Sequence, residues 1–326
     1  MSIRLEDFEK FWYMQLATND CDPGIYMLKY IIQRMELNTE QKYWICWLYA
    51  NTYQVATTWV LFNEFPDYEN ANVERIRDWN EAQKSRLPYQ KDQKWLRGHL
   101  APMFTSYKEI VGENQEKFFE QYNGNFDGLW NLVLKKFYKF GRYTGWMYLQ
   151  ALQEICGLDL DPPSLMLHHT SSWAHRAGWC RALGKDEWAV KGYAFSSEEL
   201  KALEHQALDF LSHFQAEYGH EFTAVHANFY SMETSLCAFS KLFRTTRGRY
   251  LGYYLDRIAE DIHKTAKFNW HGINWDLLWE SRSEVLLPEM LNNSVQKEQY
   301  FEYLENGRFS SNIQLLKRLE ERYYAA

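Results

Sequence analysis

Fifty-seven of the 326 residues are Phe, Tyr or Trp. Rings in that number stay out of water only inside a sizeable packed interior, so a disordered, collagenous or low-complexity chain is excluded. The length fits one large domain or two smaller ones. Most of the rings fall in segments that read as helix. Ile3 to Leu16 repeats apolar residues near the helical period (Leu5, Phe8, Trp12, Leu16). Asp22-Pro23 opens a second helix, with proline tolerated in its first turn. Asn38-Thr39 precedes an apolar run from Tyr43 to Phe62. That run reads as two buried helices broken near Asn51-Thr52, and its β-branched and aromatic content leaves a strand reading open.

Further along, 71–84 reads as a charged surface helix and Glu116 to Phe140 as one or two helices around Gly124-Asn125. Ser196-x-x-Glu199 is a capping box, with helix following to about Tyr218. Helices also fit 231–244, 249–264 and 312–324. Clean alternation of apolar and polar residues is hard to find, and no Asn-Gly hairpin joins two alternating runs. The expected fold is mainly α. The expected organisation is one helical domain over 1–326, with two lobes meeting near 185–196, where Gly184 and Gly192 fall.

No stretch approaches the ~20 consecutive apolar residues of a membrane span. Met1 to Phe8 has no apolar signal-peptide core. The five cysteines, Cys21, Cys46, Cys156, Cys180 and Cys237, contain no C-x-x-C, so neither a disulfide scaffold nor a zinc knuckle is indicated. A reducing cytoplasm is the default. The chain lacks a P-loop, G-x-S-x-G, H-E-x-x-H and a helix-opening G-x-G-x-x-G, which disfavours P-loop kinase, hydrolase, metalloprotease and Rossmann readings.

The net charge of −7 argues against indiscriminate nucleic-acid binding, but two segments run against it. Leu132 to Trp146 holds Lys135, Lys136, Lys139 and Arg142 with no acid, and Ala238 to Tyr250 holds Lys241, Arg244, Arg247 and Arg249 with none. Both interleave with rings: Phe137, Tyr138, Phe140, Tyr143 and Trp146 in the first, Phe239, Phe243, Tyr250, Tyr253 and Tyr254 around the second. Cations for phosphates beside rings for bases suit a nucleic-acid site. Taken alone, each segment reads rather as a solvated helix face over an aromatic core, and the two together in an acidic chain favour the nucleic-acid reading. Phe140 to Trp146 joins two helical stretches through Gly141 and Gly145. Such a turn gathers backbone N–H groups at a helix N-terminus, as in the helix-hairpin-helix of DNA glycosylases, or is an ordinary helix–helix turn. The stretch from Ser164 to Arg176, where a glycosylase keeps its Asp, has none.

Several other groups carry chemistry or caps. Asn63-Glu64-Phe65-Pro66-Asp67 ends the long apolar run, making Glu64 and Asp67 acid/base candidates or caps for the next helix. His168, His169, His175 and Arg176 are of a type to meet phosphate. Ser231 in Ser231-Met232-Glu233-Thr234 fits a helix N-cap. Asp256 and Arg257 fit an internal pair on an amphipathic helix.

Taken together, Trp47 to Tyr53, Trp59 to Asp67, Tyr138 to Tyr143, Ser231 to Thr234 and Arg247 to Arg257 form a pattern. It resembles a phage family known as α-glutamyl/putrescinyl thymine pyrophosphorylases or amino acid:DNA transferases, over about 40–285. The resemblance implies a helical, helix-hairpin-helix glycosylase-like enzyme in the cytoplasm of an infected bacterium. Its partner would be duplex phage DNA in which 5-hydroxymethyluracil replaces thymine and has been phosphorylated by a separate kinase. A small amine or amino acid would then displace the phosphate or pyrophosphate. No cofactor and no metal are implied, and no membrane. Catalytic roles would fall to Glu64, Asp67, His175, Glu233 and Asp256. Substrate and DNA contacts would fall to Asn51, Asn63, Lys139, Arg142, Tyr143, Trp146, Arg176, Lys241, Arg247, Arg249, Tyr250 and Tyr254. The family carries acidic residues where this chain has His168-His169. The alternatives are a DNA glycosylase and a non-catalytic DNA-binding protein of the same pathway.

Overall fold

The computed structural model describes residues 3–17, 19–89, 96–169, 171–222, 225–243 and 255–286. The described residues are mainly helical and include no strand. In chain order the first helices are α1 (Ile3–Ala17), α2 (Pro23–Arg34), α3 (Thr39–Thr52) and α4 (Val55–Glu64). Asn38 caps α3 by a reciprocal box with Gln41. Tyr53 ends the helix in the left-handed region at φ 48°, its N–H donating to Tyr49 O. The run from 43 to 62 is therefore two helices, and the strand alternative falls. Its β-branched and aromatic residues are buried all round, a setting in which packing overrides propensity.

Next come α5 (Val73–Gln83), α6 (Leu100–Val111), α7 (Gln115–Glu120), α8 (Phe126–Lys136) and α9 (Arg142–Ala151). A π-helical turn, Leu152–Cys156, extends α9. Asn72, Asn114 and Asn125 cap α5, α7 and α8 through their side chains. The remaining helices are α10 (Trp173–Ala182), α11 (Ser197–Tyr218), α12 (Phe229–Phe239), α13 (Leu255–Ala266) and α14 (Trp275–Val285). The capping box at Ser196 and Glu199 starts α11 as the pattern predicts. Ser231 is not an N-cap. Asn228 is, and Ser231 sits at the third position of α12, closing a reciprocal box onto Asn228. The predicted helix at 312–324 and the first part of 249–264 lie outside the described residues.

The chain forms two compact units. One is Met1–Asp22 with Pro162–Asp256 and Leu286–Ala326; the other is Pro23–Asp161 with Arg257–Val285. Residues 185–196 lie inside the first. In the second unit the rings concentrate between α3, α6 and α9. Trp44 stacks on Trp47, and Tyr107 bonds Gln115 at 2.8 Å and Tyr148 at 3.1 Å. Trp44 Nε1 donates to Phe65 O, so burying the indole leaves no orphan donor.

In the first unit Phe8, Trp12, Trp179, Phe210 and Phe214 form the core between α1, α10 and α11. Trp179 Nε1 donates to Leu203 O at 3.0 Å. Helix α12 packs on α10 at very short range, and Gly178 is what permits it. A Cβ at that position would stand 2.9 Å from the Leu236 carbonyl carbon and closer still to its oxygen. Both obstacles are backbone, so relief requires the helices to part. Replacing Gly178 with Ala is therefore expected to destabilise by about 1–3 kcal/mol, the usual range for overpacking, despite alanine's better helix propensity. By contrast Gly141, where an added Cβ meets nothing within 4 Å, should tolerate alanine with a loss of about 1 kcal/mol or less. Urea unfolding of the two variants checks the contrast.

Candidate active site

The close crossing at Gly178 and Leu236 sets the register of the two helices. One turn N-terminal to each lie His175 and Glu233. The side chains meet with Nδ1 3.1 Å from Oε1, and are 2% and 4% exposed. Nδ1 thus faces a carboxylate oxygen, and Nε2 is the other nitrogen of the ring. Cys237 follows one turn after Glu233. His175, Glu233 and Cys237 each present a ligand-type atom, all within 4.8 Å of one another. Cys237 is half-buried, the one member of the three that solvent reaches.

Other polar groups crowd the same helix. Asp22, buried, accepts from Thr234 Oγ1 at 2.5 Å, and Cys21 Sγ donates to Ser231 O at 3.5 Å. Burial, with Asp22 next to it, pushes the Cys21 thiol well up. Asp20, Gln15 and Ser235 are buried too. A helix that buries Ser231, Glu233, Thr234 and Ser235 on one stretch is not a plain core helix. Burying a polar group costs about 1–3 kcal/mol unless its hydrogen bonds are replaced.

The loop leading into α10 is fixed by buried polar contacts. Glu204 on α11 accepts from Leu165 N at 3.1 Å and Leu167 N at 2.5 Å. Ser172 Oγ donates to Met166 O, and Arg176 Nη1 donates to Leu167 O at 2.7 Å. Arg176 also lies over the Phe195 ring, and its burial lowers its pKa. His168 is exposed, with the half-buried His169 ring beside it.

Of the residues singled out from the sequence, His175 and Glu233 are thus brought together, with Arg176 on the same helix. Lys241 is half-buried in the turn after α12. Arg247, Arg249, Tyr250 and Tyr254 lie outside the described residues, as does the side chain of Asp256. The others are in the second unit. Glu64 pairs with Arg75 at 2.6 Å, and Asp67 lines a surface hollow of about 450 Å³ with Glu40, Glu69 and Glu116. Asn51 and Asn63 each donate to the carbonyl one turn back, Trp47 O and Trp59 O. Trp146 is fully buried, packed on Phe126 and Trp130, and the buried Arg142 guanidinium covers it at 4.6 Å. That indole is thus enclosed inside the protein. Tyr143, half-buried, meets Tyr53 edge-on.

The α8–α9 turn presents a different surface. Lys135, Lys136, Tyr138, Lys139 and Gly141 are all exposed, and the intervening Phe137 and Phe140 are buried. Lys139 takes a left-handed φ of 65°, which turns the chain into α9. Gly141 is the N-cap of α9 and contributes no side-chain cap bond. Tyr138, one of the rings the sequence placed beside these cations, is 43% exposed; its ring partner His99 was not foreseen. Cys237 was missed as a neighbour of Glu233, although the i, i+4 spacing on one helix was readable.

A sequence model of the amino acid:DNA transferase family matches residues 17–247, and the chain belongs to that family. The match includes His175, Glu233 and the α8–α9 turn. Family membership makes the protein a transferase whose substrates are DNA and an amino acid. No curated protein and no solved structure gives a significant match. Among the described residues no helix is long and apolar enough to cross a membrane.

Burial holds the Glu204 carboxyl above its ordinary range, outweighing the two backbone N–H groups that pull it down. The folded state then binds that proton more tightly than the unfolded chain does. Its contribution to stability is present below the ordinary carboxylate range and is lost as pH rises through the raised value. Urea unfolding across pH 4–8 (roughly that window) should show this loss, and Glu204→Gln should flatten it. The thiols give a second check. Cys180 is pushed up to about 12 by burial, and Cys21 and Cys46 are also raised. Iodoacetamide is expected to label Cys156 and Cys237, the two half-buried thiols, well before these three, as peptide mass spectrometry would read.

Proposed function

We propose that the protein transfers an amino acid or related amine onto phosphorylated 5-hydroxymethyluracil in duplex DNA. The amine nitrogen attacks the exocyclic methylene, the C–O bond to the phosphate breaks, and phosphate or pyrophosphate leaves with the bonding pair. The nitrogen gives up one proton as its new C–N bond forms. The family match supports amine transfer to DNA. The observation that carries the chemical part is the His175–Glu233 pair, at 3.1 Å on two helices held together by Gly178. Glu233 holds the Nδ1 proton and orients the ring, so Nε2 is the proton acceptor for the attacking amine.

DNA recognition on this reading falls to the α8–α9 turn, used in the manner of a helix-hairpin-helix. The first-turn N–H groups of α9 and three exposed lysines offer a phosphate backbone both hydrogen bonds and charge. The acids that give the chain its negative total lie outside that turn. The target base is flipped from the stack to expose its methylene, as enzymes that act on bases require. On this reading the enzyme acts after a DNA kinase, in the cytoplasm of an infected bacterium.

Incubation with phosphorylated 5-hydroxymethyluracil DNA and a mixture of amines, followed by nucleoside mass spectrometry, tests the reading. An amine adduct on the methylene is expected. Abasic sites in its place would establish a glycosylase, and binding with no product a scaffold. Glu233→Gln keeps an acceptor for Nδ1 but removes the charge. It is expected to lower turnover by about 10²–10⁴-fold with DNA affinity unchanged. The triple change of Lys135, Lys136 and Lys139 to Ala should do the reverse. It should weaken DNA binding and flatten the log–log salt slope by about 0.9 for each lost phosphate contact.

A further inference from the structure

We infer that His175, Glu233 and Cys237 form a binding site for a thiophilic divalent cation, with Zn²⁺ as its type, and that the cation blocks the proton-accepting pair. The donor set is an imidazole nitrogen, a carboxylate oxygen and a thiol sulfur, whose ligating atoms lie within 4.8 Å of one another. Nitrogen, oxygen and sulfur together suit Zn²⁺ and disfavour the hard ions Mg²⁺ and Ca²⁺. Zn–N and Zn–O bonds of about 2.0–2.2 Å span a tetrahedral edge of roughly 3.3 Å. The 3.1 Å between Nδ1 and Oε1 is close to that edge. The thiol is the farther donor, and a side-chain shift of about 1 Å brings it to the ~2.3 Å of a Zn–S bond. Helical spacing makes this a built arrangement. Glu233 and Cys237 are one turn apart on α12, and α10 is held against that face by Gly178.

Occupancy exchanges one proton for the metal. The ring proton passes from Nδ1 to Nε2, the Cys237 thiol proton is released, and water completes four-coordination. The imidazole then spends its Nδ1 lone pair on the ion, and Glu233 can no longer orient it. The inhibitory consequence rests on the proposed role of the pair; the binding site does not.

Cobalt provides a readout independent of turnover. Apo-protein titrated anaerobically with Co²⁺ should develop a thiolate-to-cobalt absorption band in the near ultraviolet at one equivalent, reversed by Zn²⁺. Cys237→Ser should abolish the band and weaken binding by about 100-fold. Cys156→Ser, in the other unit, should leave both unchanged. Circular dichroism confirms that each variant is folded. In the nucleoside assay added Zn²⁺ should lower the rate of the native protein but leave the rate of Cys237→Ser at whatever value that variant has without metal. A band that never forms, or that survives Cys237→Ser, overturns the site. A band without any amine adduct leaves the site standing and defeats the transferase reading, so the two failures are distinguishable.

Discussion

The approach of α10 to α12 governs the first unit. At Gly178 the helices touch backbone to backbone, which only a residue without a Cβ permits. That single contact fixes the rotation and register of both helices. One turn away His175 and Glu233 meet, both enclosed by the protein. Burying such a pair is weak evidence of stabilisation, because desolvation offsets most of the attraction. It is better evidence of purpose. An apolar pair of similar volume would have packed this crossing at least as well.

Much of the fold was legible because its helix starts are chemically marked. Asn38, Ser196 and the Asp22-Pro23 step announced α3, α11 and α2, and the period of Leu5, Phe8, Trp12 and Leu16 announced α1. Helices α6, α10 and α14 were not read. Pro102 sits in the first turn of α6, where it does no harm but looks like a break. Ser172 gives α10 no side-chain cap, and its apolar face is interrupted by His175. For α14 a signal was present, since Asn274 accepts from Leu277 N, and it was overlooked.

The site was legible only in its residue types. His175 and Glu233 lie 58 positions apart in sequence, and nothing short of the helix crossing says that they meet. Burial separates residues that the sequence presents alike. Trp146 and Arg142 belong to a packed stack, whereas Tyr138 and Lys139, a few positions earlier, face solvent. The net charge of −7 hides this too, because a total carries no address. Arg75 holds Glu64 in a surface ion pair, a partnership that its place at the end of an apolar run did not reveal.

The central claim is that His175 and Glu233 act as one proton-accepting unit in amine transfer to DNA. A double-mutant cycle on the single-turnover rate of adduct formation addresses it directly. Residues that work as a unit are strongly non-additive. The account predicts that His175→Gln with Glu233→Gln is about as slow as His175→Gln alone. If the two losses instead multiply, each residue acts separately and the account is wrong.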